Sequence, residues 1–316
     1  MSPSSRDFQE KTVTLTNGLR LHYYEWPGPR PNLVLLHPSS GYGRMWEETA
    51  RALGSAFHVY ALDQRGHGDS GRPDGDYSAE EYADDLHLFF RQVGIDKAIV
   101  AGQSLGGRVG QVFAAVYPDE IQGLGLVGGP HTSNFFPTRE ETTKVLNAAH
   151  RMLESQTEFP SREAAFAYLR NLRPRDQESV LRHRLEHNFV TTANGVAVKY
   201  DKVRVAVGLA HMADDLRKYA ARAACPVVIL RGSHTAELTL AQAKEIAGCW
   251  KNAVVVDVEG DYARPQSCWV ARRAPSARAA NFSHTTLGWT SLKRMPEAAN
   301  PQSAPAMTFS RPTIFA

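Results

Sequence analysis

The sequence predicts an α/β protein in which a mostly parallel β-sheet carries helices on both faces. Over the first 130 residues, short apolar segments typical of buried strands alternate with segments of helical periodicity. The alternation stops over residues 131–222 and resumes from residue 223. Apolar strands separated by helices are typical of parallel sheets that are covered on both faces.

The composition excludes several other classes of protein. The chain has 316 residues, of which 42% are hydrophobic and 22% charged, as in globular proteins rather than disordered, collagen-like or coiled-coil ones. No apolar run approaches the ~18 residues of a transmembrane helix, and the N-terminal segment lacks the apolar core of a secretory signal. The cysteines Cys225, Cys249 and Cys268 form no C-x-x-C pair. We therefore expect a reducing cytoplasm, with neither a disulfide framework nor a structural zinc site.

The net charge of +3 arises at the C-terminal end of the chain. Residues 266–316 contain six Lys or Arg and one acidic residue, Glu297, which leaves 30 basic and 32 acidic residues in the rest of the chain. A nucleic-acid-binding protein needs a basic face on its folded body. We therefore expect no nucleic-acid partner, and the lack of an apolar span argues against a membrane partner.

Eight segments have the pattern of core strands, with apolar residues bounded by polar or glycine-containing turns. The first two form a hairpin with Asn17-Gly18 at its turn, a dipeptide that favours tight turns. Ser78-Ala79-Glu80-Glu81 is a capping box, which marks the start of a helix. The predicted strands are 11–17, 19–26, 32–37, 57–62, 97–102, 121–127, 226–230 and 253–258, and the predicted core helices are 44–53, 79–92, 105–117 and 240–247.

The long segment between the two runs of strands has helical patterns over 139–154, 161–169, 176–186 and 207–223. It is too long for a simple connection, so it forms a small subdomain or a lid, and we predict a lid above the C-terminal edge of the sheet. The predicted domains are a core of residues 1–130 and 223–265, a helical lid of residues 131–222, and a poorly packed tail of residues 266–316.

The strongest chemical signal is Gly102-Gln103-Ser104-Leu105-Gly106-Gly107, which lies between a predicted strand and a predicted helix. G-x-S-x-G in that context is a nucleophile elbow. The glycines remove side chains that would clash in the tight turn, so we expect a strained, positive φ at Ser104 and a hydroxyl raised above the sheet. The N-terminus of the following helix would favour a developing anion there.

Two further motifs accompany the elbow. Leu36-His37-Pro38-Ser39-Ser40-Gly41 ends an apolar strand, and Asp63-Gln64-Arg65-Gly66-His67-Gly68-Asp69-Ser70 follows the next one. With these three motifs in this order, the chain resembles the α/β-hydrolase superfamily of the lidded serine hydrolase type, over roughly residues 11–262. The resemblance implies an α/β-hydrolase fold with a helical lid, and it implies that Ser104 is the nucleophile.

The resemblance also implies an oxyanion hole. In the family, one N–H just beyond the first motif and one N–H after the nucleophile bind the oxyanion, and here these belong to Ser39 and Leu105. Pro38 replaces the usual glycine and has no N–H, but it precedes the donor. The family's arginine and histidine in the second motif, here Arg65 and His67, are implied to link neighbouring loops rather than to take part in catalysis.

The acid and the base of a triad are not where the family places them, which is in the order serine, acid, histidine. The acid loop, 233–238, has one carboxylate, Glu237, just beyond the usual position. Glu237 fits a solvated residue before a helix equally well. The histidine loop after the last strand contains no histidine. The candidate acid is therefore Glu237, and the candidate bases are His234, in the acid loop, and His284, in the tail.

These residues favour a serine hydrolase that cleaves an ester, a lactone or a similar acyl bond through a Ser104 acyl-enzyme. The lid and the loop 42–46 suggest a small apolar substrate, and no cofactor or metal is implied. Two alternatives stay open. The fold also hosts C–C bond and non-hydrolytic chemistry, and the missing histidine fits a degenerate member that binds a small ligand with little or no hydrolysis. Dehalogenase and epoxide hydrolase chemistry is less favoured, because those relatives carry aspartate at the elbow.

Overall fold

A computed structural model describes residues 8–129, 135, 138–235 and 238–258. The strands are β1 (Gln9–Thr14), β2 (Arg20–Trp26), β3 (Asn32–Leu36), β4 (His58–Leu62), β5 (Ala98–Gln103), β6 (Ile121–Val127), β7 (Glu158–Phe159), β8 (Phe189–Thr192), β9 (Gly195–Val198), β10 (Val227–Gly232) and β11 (Ala253–Val258). The helices are α1 (Glu47–Leu53), α2 (Ala79–Val93), α3 (Leu105–Val116), α4 (Arg139–Glu154), α5 (Arg162–Leu172), α6 (Glu178–His187), α7 (Lys202–Ala210), α8 (Arg217–Ala220) and α9 (Leu240–Ala247).

The main sheet has eight strands in the order β1-β2-β4-β3-β5-β6-β10-β11. The pairs from β4 to β11 are parallel, whereas β1–β2 and β2–β4 are antiparallel. The prediction of a mostly parallel sheet is thus confirmed. The predicted opening hairpin is also present, and Gly18 in its turn has a φ of 86°, a conformation that glycine adopts without strain.

The central strands contribute to two apolar layers, one on each face of the sheet. Val34 and Leu36 of β3 belong to the layer that includes residues of α2 and α3. Leu33 and Leu35 belong to the layer that includes Ala50 of α1. Successive residues of a strand point to opposite faces, so the four buried apolar residues of β3, Leu33–Leu36, fill both layers. An unbroken apolar run therefore marks a central strand, as the sequence pattern indicated.

The predicted capping box forms only in part. The Ser78 hydroxyl accepts a hydrogen bond from the Glu81 N–H (3.3 Å) and so caps α2. The Glu81 carboxylate does not return to the Ser78 N–H. It accepts a hydrogen bond from the Tyr77 N–H (3.0 Å) and pairs with Arg65. Glu81 thus attaches the loop before α2 to that helix.

Residues 138–222, which we call the insert, differ from the prediction of a mostly helical segment. They contain an antiparallel sheet in the order β7-β9-β8 as well as helices. Thr192 pairs with Gly195, so two residues connect β8 to β9, and Gly195 has a φ of 136°. Strands this short leave little periodicity in the sequence, which explains why helical patterns alone were recognised. The insert has a separate apolar cluster, formed by Phe159, Ala165, Leu169, Leu181, Leu185, Phe189 and Val196.

The single helix predicted over residues 207–223 is wrong. The chain forms α7, a 3-10 turn at His211–Ala213, and the short α8. Helix α7 begins at Lys202 because the Asp201 carboxylate accepts hydrogen bonds from the N–H groups of Val203 and Arg204, both at 3.1 Å. By contrast, α4, α9, β6 and β11 have the predicted bounds.

Part of the predicted organisation falls outside the described residues. The tail, residues 266–316, lies there, so its packing stays a prediction. Within the ranges that the structure describes, no helix combines the length and the apolarity needed to cross a membrane.

Two buried arginines of the core have different surroundings. Arg65 donates from Nε and Nη2 to both oxygens of Asp85 (2.6 and 2.9 Å), and Asp85 also accepts from Asn17 Nδ2 (2.9 Å). Arg65 thereby joins the loop after β4 to α2 and to the first hairpin. Arg108 of α3 is 2% exposed, and its Nη1 and Nη2 have no hydrogen-bond partner among the described residues. Its nearest carboxylate is that of Asp214, at 3.8 Å.

We expect Arg65→Met and Arg108→Met to have opposite consequences for stability. Removing Arg65 leaves Asp85 buried without its charged partner, which should cost about 3–5 kcal/mol of unfolding free energy. Burial lowers the pKa of Arg108 to about 10, and the carboxylate facing it is 47% exposed. Its replacement should therefore change stability by less than about 1 kcal/mol, or raise it. Urea denaturation of both variants measures the difference, and equal losses would contradict this account.

Candidate active site

The sheet brings the three sequence motifs together at one edge. Strand β3 lies between β4 and β5, and Leu36 pairs with Leu62 on one side and with Gly102 on the other. The carboxyl ends of parallel strands meet at the same edge of a sheet. The loops that begin at His37, Asp63 and Ser104 are therefore neighbours.

Ser104 lies between the last residue of β5 and the first residue of α3, with φ 52° and ψ −112°. This confirms the prediction of a positive φ at a strand–helix junction. A Cβ on Gly102 would lie 2.2 Å from the carbonyl carbon of Gly106, and a Cβ on Gly106 would lie 2.3 Å from the carbonyl oxygen of Leu36. The elbow thus needs glycine at both positions, because a Cβ at either one would collide with backbone atoms. Ser104 itself is half-buried.

Two backbone N–H groups flank the serine. Leu105 is the first residue of α3, where N–H groups lack partners within a helix. Ser39 lies in a turn closed by a hydrogen bond from the Gly41 N–H to the Pro38 carbonyl (2.8 Å). Within the described part of the chain, neither the Ser39 nor the Leu105 N–H donates a hydrogen bond.

His37 and His67 are structural residues of these loops. The Nε2 atom of His37 accepts from the Gln64 N–H (3.0 Å), and the Nε2 atom of His67 accepts from the Ser40 N–H (3.1 Å). Their Nδ1 atoms donate to the carbonyls of Pro38 and Arg65, both at 2.8 Å. Burial lowers the pKa of His37 to about 4 and that of His67 to about 3, so both imidazoles are neutral near pH 7. Both ring nitrogens of each residue are engaged in holding loops.

The Asp63 carboxylate connects the loop after β3 with the loop after β4. The side chain is buried, and it accepts hydrogen bonds from the Gly43 N–H (2.6 Å), the Asp69 N–H (3.0 Å) and His22 Nδ1 (2.9 Å). Burial raises the pKa of this carboxyl, but the hydrogen bonds from His22 and Gly43 outweigh it and lower the pKa. An ionised carboxylate thus holds the loop after β3 against the loop after β4.

The insert rests on these loops. The Ser40 carbonyl accepts hydrogen bonds from Arg184 Nη1 and Asn188 Nδ2, both at 3.2 Å. Lys199 binds Asp69 through Nζ (2.6 Å), and its carbonyl accepts from Arg72 (2.8 Å). The sequence analysis did not find Arg184 and Asn188. No local signal marks them, because their partner lies more than 140 residues earlier in the chain.

Of the predicted acid and bases, His234 lies within the described residues. His234 lies in an exposed turn after β10 and makes no hydrogen bond among the described residues. Strand β6 separates β10 from β5, so the two loops start about 10 Å apart at ordinary strand spacing. Glu237 and His284 lie outside the described residues. Their roles, and that of His234, stay predictions.

The comparison with known families agrees with this architecture. The sequence model of the family described as the alpha/beta hydrolase fold matches residues 31–233, which include all three motifs. The chain belongs to this family. As a member of this family, the chain has the main sheet and the strand–helix elbow described above.

Two named relatives of this hydrolase-fold protein are hydrolases. The chain is 27% identical over 234 residues to 2-(acetamidomethylene)succinate hydrolase of Mesorhizobium japonicum, covering 74% of this chain and 81% of the relative. It is 28% identical over 216 residues to an esterase of Mycobacterium tuberculosis, covering 68% of this chain and 70% of the esterase. The crystal structure of E-2-(acetamidomethylene)succinate hydrolase matches with a TM-score of 0.71 at 25% identity, covering 81% of this chain and 92% of that one. These similarities support a hydrolase role.

We expect Gly106→Ala to disrupt the elbow. Its Cβ would collide with the Leu36 backbone, so unfolding free energy should fall by about 2–4 kcal/mol. Gly123→Ala is the matched control, because a Cβ there meets nothing closer than 3.7 Å. That change should stay within about 1 kcal/mol of the wild type. Thermal and urea denaturation test both, and a tolerated alanine at 106 would show that α3 does not approach β3 this closely.

The neutral, buried imidazoles should make the fold sensitive to acid. Because the pKa of each is lower in the folded state than the ordinary 6.5, the unfolded chain binds more protons below about pH 6.5, and stability is lost as pH falls from there towards 4. Between pH 7 and pH 5 the loss should be about 2 kcal/mol for each imidazole.

Substitution by glutamine, which keeps an acceptor near the Nε2 position, separates this effect from other titrations. His37→Gln and His67→Gln should each remove about 2 kcal/mol of the pH-dependent loss in urea denaturation. The control, His150→Gln, replaces an exposed histidine and should leave the pH dependence unchanged. An unchanged slope in both buried variants would refute the neutral state of these rings.

Proposed function

We propose that this protein is a serine hydrolase that cleaves an ester, a lactone or a similar acyl bond of a small substrate through an acyl-enzyme on Ser104. The positive φ of Ser104 at the junction of β5 and α3 carries the proposal. Such a conformation costs a side-chain-bearing residue about 1–3 kcal/mol and persists mainly at functional sites. The half-buried side chain is accessible to a small molecule, as a nucleophile must be.

The N–H groups of Ser39 and Leu105 are the proposed oxyanion hole. They follow the ends of the adjacent strands β3 and β5, one in the turn and one at the start of α3. The partial positive charge of the α3 N-terminus adds to them. Such donors stabilise the tetrahedral intermediate by about 3–4 kcal/mol each in related chemistry. His67, Arg184 and Asn188 hold this turn through Ser40 and thus position the Ser39 donor.

The proposed reaction has two stages. The Ser104 hydroxyl adds to the acyl carbon and loses its proton to a base, for which His234 and His284 are the candidates and Glu237 the supporting acid. The intermediate collapses, the leaving alcohol or amine takes a proton, and the acyl group stays on Ser104. Water then adds to the acyl-enzyme by the same route and releases the acid. The relatives, a hydrolase of 2-(acetamidomethylene)succinate and an esterase, support acyl-bond hydrolysis.

The substrate class is argued from the insert rather than from the loop 42–46. Tyr42, Met45 and Trp46 are buried within the apolar layer under α1, so their side chains are part of the core. They give less support for an apolar substrate than the sequence suggested. The insert contacts the motif loops through Arg184 and Lys199, and a lid formed by it over Ser104 would favour a small-molecule substrate.

A ligand-binding protein without hydrolysis is the second candidate. The observation that favours it is that His37 and His67, in the loops beside Ser104, have both ring nitrogens engaged elsewhere. A serine without a base near neutral pH loses several orders of magnitude in reactivity. The two candidates therefore differ in the reactivity of Ser104.

A fluorophosphonate probe distinguishes the two candidates. We expect the wild type to be labelled on Ser104, as located by peptide mass spectrometry, and Ser104→Ala to be unlabelled. Ser55→Ala, at an exposed serine before β4, is the matched control and should label at the wild-type rate. His234→Ala and His284→Ala then identify the base, because its loss should slow labelling at least ~100-fold. A folded wild type that resists the probe would favour the ligand-binding protein.

A further inference from the structure

Three side chains with metal-binding atoms meet where the insert contacts the core. His183 and His187 lie one turn apart on α6, and Glu47 is the first residue of α1. One ligand atom from each lies within 4.8 Å of the other two. Side chains four residues apart project from the same face of a helix, so α6 directs both imidazoles towards the carboxylate of α1.

We propose that Glu47, His183 and His187 form a binding site for one divalent transition-metal ion of the zinc class. Two imidazoles and one carboxylate are a ligand set that zinc prefers, with bonds of about 2.0–2.2 Å. Tetrahedral ligands at that distance are roughly 3.3 Å apart, and 3.5 Å separates His183 Nε2 from Glu47 Oε2. Small side-chain rotations therefore suffice to bring all three onto one ion, which leaves a coordination position for water.

A neighbouring side chain orients the His183 ligand. The Tyr42 hydroxyl is hydrogen-bonded to His183 Nδ1 (2.9 Å), which leaves Nε2 facing Glu47. Metal-binding histidines are commonly fixed in this way through their other nitrogen. The side chains of Glu47, His183 and His187 are 13, 30 and 15% exposed, so an ion can reach them.

Two arginines compete with the ion for Glu47. Arg44 Nε donates to Oε2 (2.7 Å), the oxygen that faces His183, and Arg51 Nη2 pairs with Oε1 (2.8 Å). Glu186 lies 3.9 Å from His187 and adds a negative charge. An ion bound at Oε2 displaces Arg44, whose partly exposed side chain can turn into solvent. The proposal thus implies that Arg44 weakens metal binding, which a purely structural ion-pair cluster does not predict.

A metal ion here would fasten the insert to the core. Helix α6 also carries Arg184, and Asn188 follows its last turn, and both bind the Ser40 carbonyl. Bound metal would therefore stabilise the contact between α6, α1 and the turn that contains Ser39. The sequence analysis implied no metal, because the carboxylate lies on a different element far from the two histidines. The proposal rests on these residues alone and does not depend on the chemistry of Ser104.

Calorimetric titration of the full-length, EDTA-treated protein with ZnCl₂ at pH 7 tests the site. We expect one ion per chain at micromolar concentrations, with a higher melting temperature. His187→Ala and Glu47→Gln should weaken binding by more than about tenfold. Arg44→Gln should strengthen it, and His150→Ala, which removes an exposed histidine that pairs with Glu154, should leave it unchanged.

Cobalt(II) absorption of the same protein identifies the ligand type independently of any variant. We expect visible bands of a four- or five-coordinate ion without the near-ultraviolet thiolate band that cysteine ligands produce. The circular dichroism of each variant in EDTA establishes that it is folded. The proposal is overturned if wild-type protein binds no zinc at micromolar concentrations, if His187→Ala and Glu47→Gln bind as tightly as wild type, or if the cobalt spectrum shows thiolate ligands.

Discussion

The close approach of α3 to the backbone of β3 and β5 is the constraint on which the rest of the site depends. Gly106 lies against the Leu36 carbonyl and Gly102 against the Gly106 carbonyl, at distances that exclude any Cβ. This contact forces the chain to turn within one residue, and Ser104 takes the positive φ that the turn requires. The same contact places the start of α3 beside the loop after β3. The proposed nucleophile and the Leu105 N–H are therefore positioned by backbone packing, whereas side-chain contacts to Ser40 also hold the turn that contains Ser39.

Both uncharged and charged hydrogen-bond acceptors hold the loops beside the candidate site. Neutral imidazoles, His37 and His67, accept backbone N–H groups where burial is complete. The ionised Asp63 is equally buried but receives three hydrogen bonds, which offset the cost of removing its charge from water. A buried polar group is tolerated only when it is satisfied. Each of these residues therefore fixes a specific loop geometry and would be costly to replace.

Polar contacts at the motif loops and apolar packing of Leu216, Tyr219 and Ala220 join the insert to the core. The insert buries its own apolar cluster, which includes Phe159 and Leu181. Its contacts with the core include Arg184 with Ser40 and Lys199 with Asp69. The loops that shape the candidate site thus also hold the insert, so a change at this junction is expected to affect both.

The sequence by itself determined the main sheet, the elbow at Ser104 and the family, because each depends on residues close together in the chain. Buried strands appear as continuous apolar runs such as 33–36, and glycine spacing predicts a turn that only glycine allows. Tertiary structure decided the small sheet of the insert and the hydrogen bonds from Arg184 and Asn188 to Ser40. The same holds for the meeting of Glu47 with His183 and His187. These features join residues more than 100 positions apart or depend on strands too short to show a period. Because packing alone creates such contacts, no local sequence pattern predicts them.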